Sequence, residues 1–179
     1  MQAVKMVVTG PFAAGKTQFI KTISEIDVVS TERKISSAAE RVKDQTTVAM
    51  DFGRITIDDD LVLYLFGTPG QKRFDFMWEI LSEGMLGFIV VVDSTRPETF
   101  REARSILDTF RSYAATPYVV AANKQDVEDA WSPEDLRIAL KINGAIKVLP
   151  CVAGDKESVK NTLLELLYSI LERMDSGEL

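Results

Sequence analysis

Gly10-Pro11-Phe12-Ala13-Ala14-Gly15-Lys16-Thr17 sets two glycines, a lysine and a hydroxyl at the spacing G-x-x-x-x-G-K-[ST]. A loop of this pattern turns backbone N–H groups inward to ring a phosphate, and a helix that follows adds the positive end of its dipole. Lys16 would reach the β- and γ-phosphates, and the Thr17 hydroxyl would ligate Mg²⁺. Gly10, Phe12, Ala13, Ala14, Gly15, Lys16, Thr17 and Gln18 are therefore assigned to phosphate binding. A second cluster, Asn123-Lys124-Gln125-Asp126, has the chemistry to choose a purine. The Asp126 carboxylate can accept from both N1–H and the N2 amino group of guanine, an arrangement that adenine lacks. A carboxylate covered by the wrong base and left unpaired is costly, so discrimination is strong. Lys124 can lay its methylene stem over the ring, and Asn123 can brace the two loops together.

These residues need elements to hold them. Val4 to Val8 reads as a strand entering the first loop, and Thr17 to Ile23 as a helix leaving it. Thr47 to Ile57 and Leu61 to Phe66 read as a hairpin turning at Asp58-Asp59-Asp60, a solvated tip in preference to a metal cluster. Residues 72–84 read as helical, Leu86 to Asp93 as a buried strand, and Pro97 as the opening of a helix with Phe100, Ala103, Leu107 and Phe110 on one face. A strand from Pro117 to Ala122 leads into the Asn123 cluster. Ser132-Pro133 caps the next helix. Lys147 to Cys151 is a strand, and a last helix runs from Lys156 with Val159, Leu163, Leu167, Ile170 and Met174 along a stripe. Trp131 stands alone and is expected to cover a helix end. This alternation predicts an α/β fold: a mainly parallel, six-stranded sheet with one antiparallel strand and helices on both faces. Residues 26–46 are expected to be an irregular, mobile surface loop.

The 179 residues fit one domain, spanning 1–179. Apolar residues make up 46% and charged residues 27%, a globular composition. A net charge of −6 argues against a non-specific grip on nucleic acid or anionic lipid. With no histidine and a single cysteine, Cys151, imidazole acid/base chemistry, histidine-activated nucleophiles and intramolecular disulfides are all excluded. A reducing, cytoplasmic setting is expected. The N-terminus does not read as a signal peptide, residue 2 is Gln and not the Gly that N-myristoylation needs, and no prenylation cysteine ends the chain.

The order of motifs resembles the Ras-superfamily small GTPases over nearly the whole length. Thr47 to Phe52 looks like the switch I threonine and its strand, Gly67-Thr68-Pro69-Gly70-Gln71 like the switch II region, and Cys151-Val152-Ala153-Gly154 like the third base loop. Pro69 beside Gly70-Gln71 is nearest to small bacterial GTPases of the cell-polarity and conservon type, which work with roadblock-type regulatory proteins. The resemblance implies a P-loop NTPase G domain that binds GTP and GDP. Mg²⁺ would be held by Thr17 and Thr47, and Gly70 would contact the γ-phosphate. Val152 would line the base site, with the Ala153 N–H at guanine O6. Lys16 and Gln71 would carry catalysis, Gln71 by orienting the attacking water. Switch loops ordered by the γ-phosphate would be read by activator and effector proteins.

Three departures bear on turnover. Gly67 stands where the family carries an aspartate supporting Mg²⁺; Asp51 and Asp93 are the candidate replacements, and sequence alone leaves both open. Phe12 occupies a phosphate-loop position usually held by a small residue. No arginine finger is evident among Arg41, Arg54 and Arg73, so slow intrinsic hydrolysis is expected. Two other readings stay open: an adaptor that binds GTP or GDP without turnover, and an ATP-using P-loop enzyme. On the helix after switch II, Phe74, Met77 or Trp78, and Leu81 fit a core face; Phe76 and Ile80 fall off it, and both a partner surface there and core packing of all six stay open.

Overall fold

Strand β1 (Gln2–Thr9) is buried from Met6 onward, as an apolar run at the centre of a sheet must be. It pairs in parallel with β4 (Leu61–Gly67) on one side and β5 (Gly87–Asp93) on the other. The computed structural model describes residues 2–35 and 46–178; the side chains of 29–35 and 46–49 are not described. Beyond β5 lie β6 (Tyr118–Asn123) and β7 (Val148–Pro150), both parallel. Beyond β4 lies β3 (Thr46–Thr56), antiparallel, and then β2 (Val29–Ile35), antiparallel to β3. The sheet order is β2-β3-β4-β1-β5-β6-β7, and β3 alone opposes the common direction.

All six expected strands are present, and β2 is a seventh. It corrects the reading of residues 26–46 as irregular throughout; residues 36–45 of that stretch lie outside the described part. The sequence of β2, V-S-T-E-R-K-I, has no apolar run, and its charges suit a sheet edge, where pairing is made by backbone alone.

Helices cover both faces. Alternate strand residues Val4, Met6, Val8, Ile89 and Val91 meet α1 (Lys16–Ile23) and α5 (Lys156–Asp175) through Phe19, Ile20, Val159, Leu163 and Ile170. The intervening Val7, Phe88, Val90 and Val92 meet α2 (Phe76–Ser82), α3 (Phe100–Tyr113) and α4 (Pro133–Ala139) through Trp78, Phe110 and Leu136. Period-two alternation sends each set to its own core. Ser132 caps α4 by accepting from the Asp135 N–H, and Asp155 caps α5 by accepting from the Ser158 N–H. The Trp131 ring meets Phe100 edge-on at 5.2 Å, over the start of α3.

The fold's consequence for function is positional. The phosphate loop, Thr68–Gly70, Asp93–Thr95, Asn123–Asp126 and Cys151–Ala153 each follow the carboxyl end of a parallel strand. They therefore gather on the one edge where ligands of such sheets sit.

Candidate functional site

The phosphate loop takes its shape from three backbone positions, the first being Gly10 at φ 144°, where a Cβ would lie 2.2 Å from the Val91 carbonyl oxygen. Gly15 has φ 109°, and a Cβ there would lie 2.3 Å from Asn123 Nδ2; Ala13 turns left-handed at φ 61°. Lys16 begins α1 and is buried at 7% exposure. Its ammonium donates to the carbonyls of Gly10 and Pro11, both at 2.7 Å. Burial pushes the Lys16 ammonium down to about 8, with the negative fields of Asp51 and Glu102 partly opposing this.

This yields a signed pH dependence. Between about 8 and the ordinary lysine value of 10.5, the folded ligand-free chain holds fewer protons than the unfolded chain, so its stability rises with pH there. A bound phosphate favours the charged ammonium and reverses the effect. Binding of a phosphate-bearing ligand, with a nucleoside diphosphate as the probe, is expected to take up a proton at pH 8.5 and to weaken as pH rises further. Calorimetry in two buffers of different ionisation enthalpy should give different apparent heats at pH 8.5 and nearly equal heats at pH 7. Equal heats at both would refute the linkage.

The Thr17 hydroxyl donates to Asp51 Oδ2, across from the phosphate loop. Asp51 lies on β3 directly opposite Gly67 of β4 in the hairpin register. A Cβ at Gly67 would stand 2.8 Å from Ile20 Cδ1, 3.0 Å from Asp51 Cβ and 3.4 Å from Asp51 Oδ2. Asp51 thus brings a carboxylate beside Gly67 from the adjacent strand, and the space above Gly67 is taken by that side chain and the end of Ile20. Of the two candidate replacements, Asp51 is the one bonded to Thr17. No cluster of three or more metal-binding side chains occurs among the described residues. Mg²⁺ does not need one, because it binds through one or two side chains, phosphate oxygens and water. Thr17 and Asp51 fit that donor set. Thr47 lies on β3, but its side chain is outside the described residues.

A cavity of about 470 Å³ opens between residues 12–18 of the phosphate loop and the segment Thr68–Gln71. That segment is tied to the sheet. Thr68 N–H donates to the Val8 carbonyl, Thr68 Oγ1 to Thr9 Oγ1, and Trp78 Nε1 to the Pro69 carbonyl at 2.9 Å. Gly70 packs so closely that a Cβ would sit 2.7 Å from Lys16 Nζ and from the Phe12 backbone. Gln71 Oε1 accepts from Arg73 Nε at 2.7 Å, and the Arg73 guanidinium stacks over Phe74. The Phe12 ring is 61% exposed at the cavity mouth. On the following helix, Phe74, Trp78 and Leu81 are buried, while Phe76 and Ile80 are exposed.

Asn123 spans the two loops. Its Nδ2 donates to the Ala14 carbonyl at 2.9 Å, and its Oδ1 accepts from the Ala153 N–H at 2.9 Å. The Ala153 N–H, the donor expected at guanine O6, here meets Asn123. The Val152 N–H likewise goes to Ser158 Oγ. Thr22 Oγ1 of α1 donates to the Ala153 carbonyl, a brace with no signature in the sequence. Lys124 adopts φ 66°, and its Nζ lies 2.6 Å from Asp93 Oδ2. Burial raises the Asp93 carboxyl, but hydrogen bonds from Lys124 and Thr95 outweigh this and hold it below its ordinary value. Gln125 N–H donates to the Cys151 carbonyl, and Asp126 is exposed beyond it.

A profile of the family described as "Conserved hypothetical ATP binding protein" matches residues 27–173. The chain belongs to that family. The matched span starts after the phosphate loop and contains the base loop. An uncharacterized protein of Methanocaldococcus jannaschii is 35% identical over 131 residues, covering 73% of this chain and 76% of the relative. Ras-related protein SEC4 of Saccharomyces cerevisiae is 28% identical over 139 residues, 75% of this chain and 65% of that one. ADP-ribosylation factor-related protein 1 of Homo sapiens is 26% identical over 137 residues, again 75% and 65%. The chain therefore spans just under two thirds of the length of these last two relatives. No helix among the described residues is long and apolar enough to cross a membrane.

Proposed function

We propose that this chain is a GTP-binding molecular switch, one G domain over residues 1–179, that hydrolyses GTP to GDP slowly and works in the cytoplasm. The observation that carries the reading is Asn123, whose single amide ties the phosphate loop at Ala14 to the third base loop at Ala153. A purine chosen at Asp126 and phosphates held at Lys16 are then parts of one ligand. The similarity to Ras-related and ADP-ribosylation-factor-related proteins supports it.

The chain's own residues account for switching. Gly70 lies against Lys16 and the Phe12 backbone, so a γ-phosphate there meets the Thr68–Gln71 segment directly. Its presence or loss is transmitted through the Pro69–Trp78 bond to α2, whose exposed Phe76 and Ile80 face a partner. Thr17, Thr47 and Asp51 are the groups that would hold Mg²⁺, which when bound offsets negative charge on the phosphates. Gln71 orients the attacking water, but its carbonyl oxygen is engaged by Arg73. Slow intrinsic turnover follows. Regulatory proteins, with roadblock-type regulators as one class alongside activators and effectors, would supply what is missing.

The family's description names ATP, and the base loop argues for guanine. Labelled GTP on the purified protein is expected to be displaced by GDP and to resist a large excess of ATP. Phosphate release in a single turnover should be slow, and faster by roughly 10³–10⁵-fold with an activator that supplies an arginine. Displacement by ATP as readily as by GDP would restore the ATP-using reading. The Gln71–Arg73 bond favours one alternative, a non-hydrolysing adaptor, which predicts tight GTP binding with no phosphate release under any activator.

A further inference from the structure

We infer that Asp93 is a positioning residue for the guanine base, acting through Lys124; this rests on the GTP-binding reading above. Asp93 ends β5, with 2% of its surface exposed. Its Oδ1 accepts from the Thr95 N–H at 3.0 Å and from Thr95 Oγ1 at 2.6 Å, which fixes the carboxylate. Its Oδ2 takes the Lys124 ammonium at 2.6 Å. Asp93 is thereby committed to the base side of the sheet edge.

The rest of the turn makes the same connection. Ser94 N–H donates to the Asn123 carbonyl, the Ser94 carbonyl accepts from the Trp131 N–H at 2.8 Å, and Ser94 Oγ accepts from Gln125 Nε2 at 3.1 Å. The turn after β5 is thus a clamp beneath the base loop. Lys124 is 41% exposed in its side chain and sits on a left-handed backbone. Left to itself, such a stem would sample many rotamers. A charge-assisted bond to a fixed, buried carboxylate holds the Nζ end, leaving the methylenes stretched between two anchored points as a wall for the purine ring. Asp93 adds to how tightly the base is held without choosing it; the choice of base lies with Asp126.

The test measures GDP and ADP binding by nucleotide-stripped wild type, Asp93→Asn, Asp93→Glu, Lys124→Met and the double variant Asp93→Asn/Lys124→Met. Wild type is measured first; failure to bind guanosine nucleotides would overturn the functional reading and this role with it. Asp93→Asn is expected to weaken GDP roughly tenfold, mostly through a faster off-rate, without changing the preference for GDP over ADP. Asp93→Glu should recover part of the loss. In the double variant the loss should be no greater than in Lys124→Met alone, because both changes break one contact. Nitrogen-detected NMR of the wild type should show a slowly exchanging Lys124 ammonium, a readout that survives even if Asp93→Asn folds poorly. Multiplying losses in the double variant, Asp93→Asn binding within twofold of wild type, or a freely exchanging Lys124 ammonium would each overturn the assignment.

Discussion

Asp126→Asn is expected to weaken GDP and GTP binding by roughly 10³-fold while leaving the fold intact. Asp126 is exposed, and its loop is held by neighbouring residues: Gln125 on the Cys151 carbonyl and Asn123 on both flanking loops. The side chain can therefore change without loosening the frame. The carboxylate is acceptor-only, matched to two donors on one edge of guanine. An asparagine puts an NH₂ against the N2 amino group, donor facing donor, and one of the two bonds becomes a repulsion. The same NH₂ suits xanthine, which carries a carbonyl oxygen at that position, so the variant should gain affinity for XDP as it loses GDP. Calorimetry with GDP, XDP and ADP decides the matter. Unchanged GDP affinity removes guanine selection from this loop and with it the switch reading, whatever the phosphate loop does.

The sequence made the phosphate loop and base loop readable because each needs particular residue types at fixed spacing. Gly10, Gly15, Lys16 and Thr17 fall where backbone strain and charge demand them. The buried strands were legible for a similar reason: both faces of β5 are covered, so its apolar run has one explanation. Edge strand β2 was not legible, since its pairing is made by backbone groups common to all residues. Braces running from side chain to backbone, such as Thr22 to Ala153, left no pattern either. Asp93 could be named but not placed. Asp51 was more nearly within reach. In a tight hairpin turning at Asp58–Asp60, equal steps outward from Asp59 land on Asp51 in one strand and Gly67 in the other. Register alone would have set the Asp51 carboxylate directly across from the glycine.

That register makes the second large effect a matter of exchange as well as loss. Asp51→Gly is expected to lower Mg²⁺ affinity in the nucleotide complex by roughly 10–100-fold, as loss of a group orienting a metal ligand does. GDP binding in excess chelator should change little. Gly67→Asp alone should not improve on wild type. Its Cβ would meet Asp51 Cβ at 3.0 Å and Ile20 Cδ1 at 2.8 Å, and it would set a second carboxylate beside the first. The pair Asp51→Gly/Gly67→Asp behaves differently. Removing the Asp51 side chain clears the closest polar neighbour, and the remaining contact is the end of the flexible Ile20 side chain. The carboxylate then approaches Thr17 from β4 instead of β3. The double variant should recover most of the Mg²⁺ dependence, with little net cost in backbone entropy, since it removes a glycine from β4 as it adds one to β3. The measurement is Mg²⁺ titration of GDP off-rates, with thermal unfolding as the check on folding. Recovery makes the requirement one for a charge at the Thr17 hydroxyl, free of the strand that brings it. Failure of the double variant to recover, with folding intact, ties the effect to Asp51's own place in β3 and withdraws its assignment to the metal.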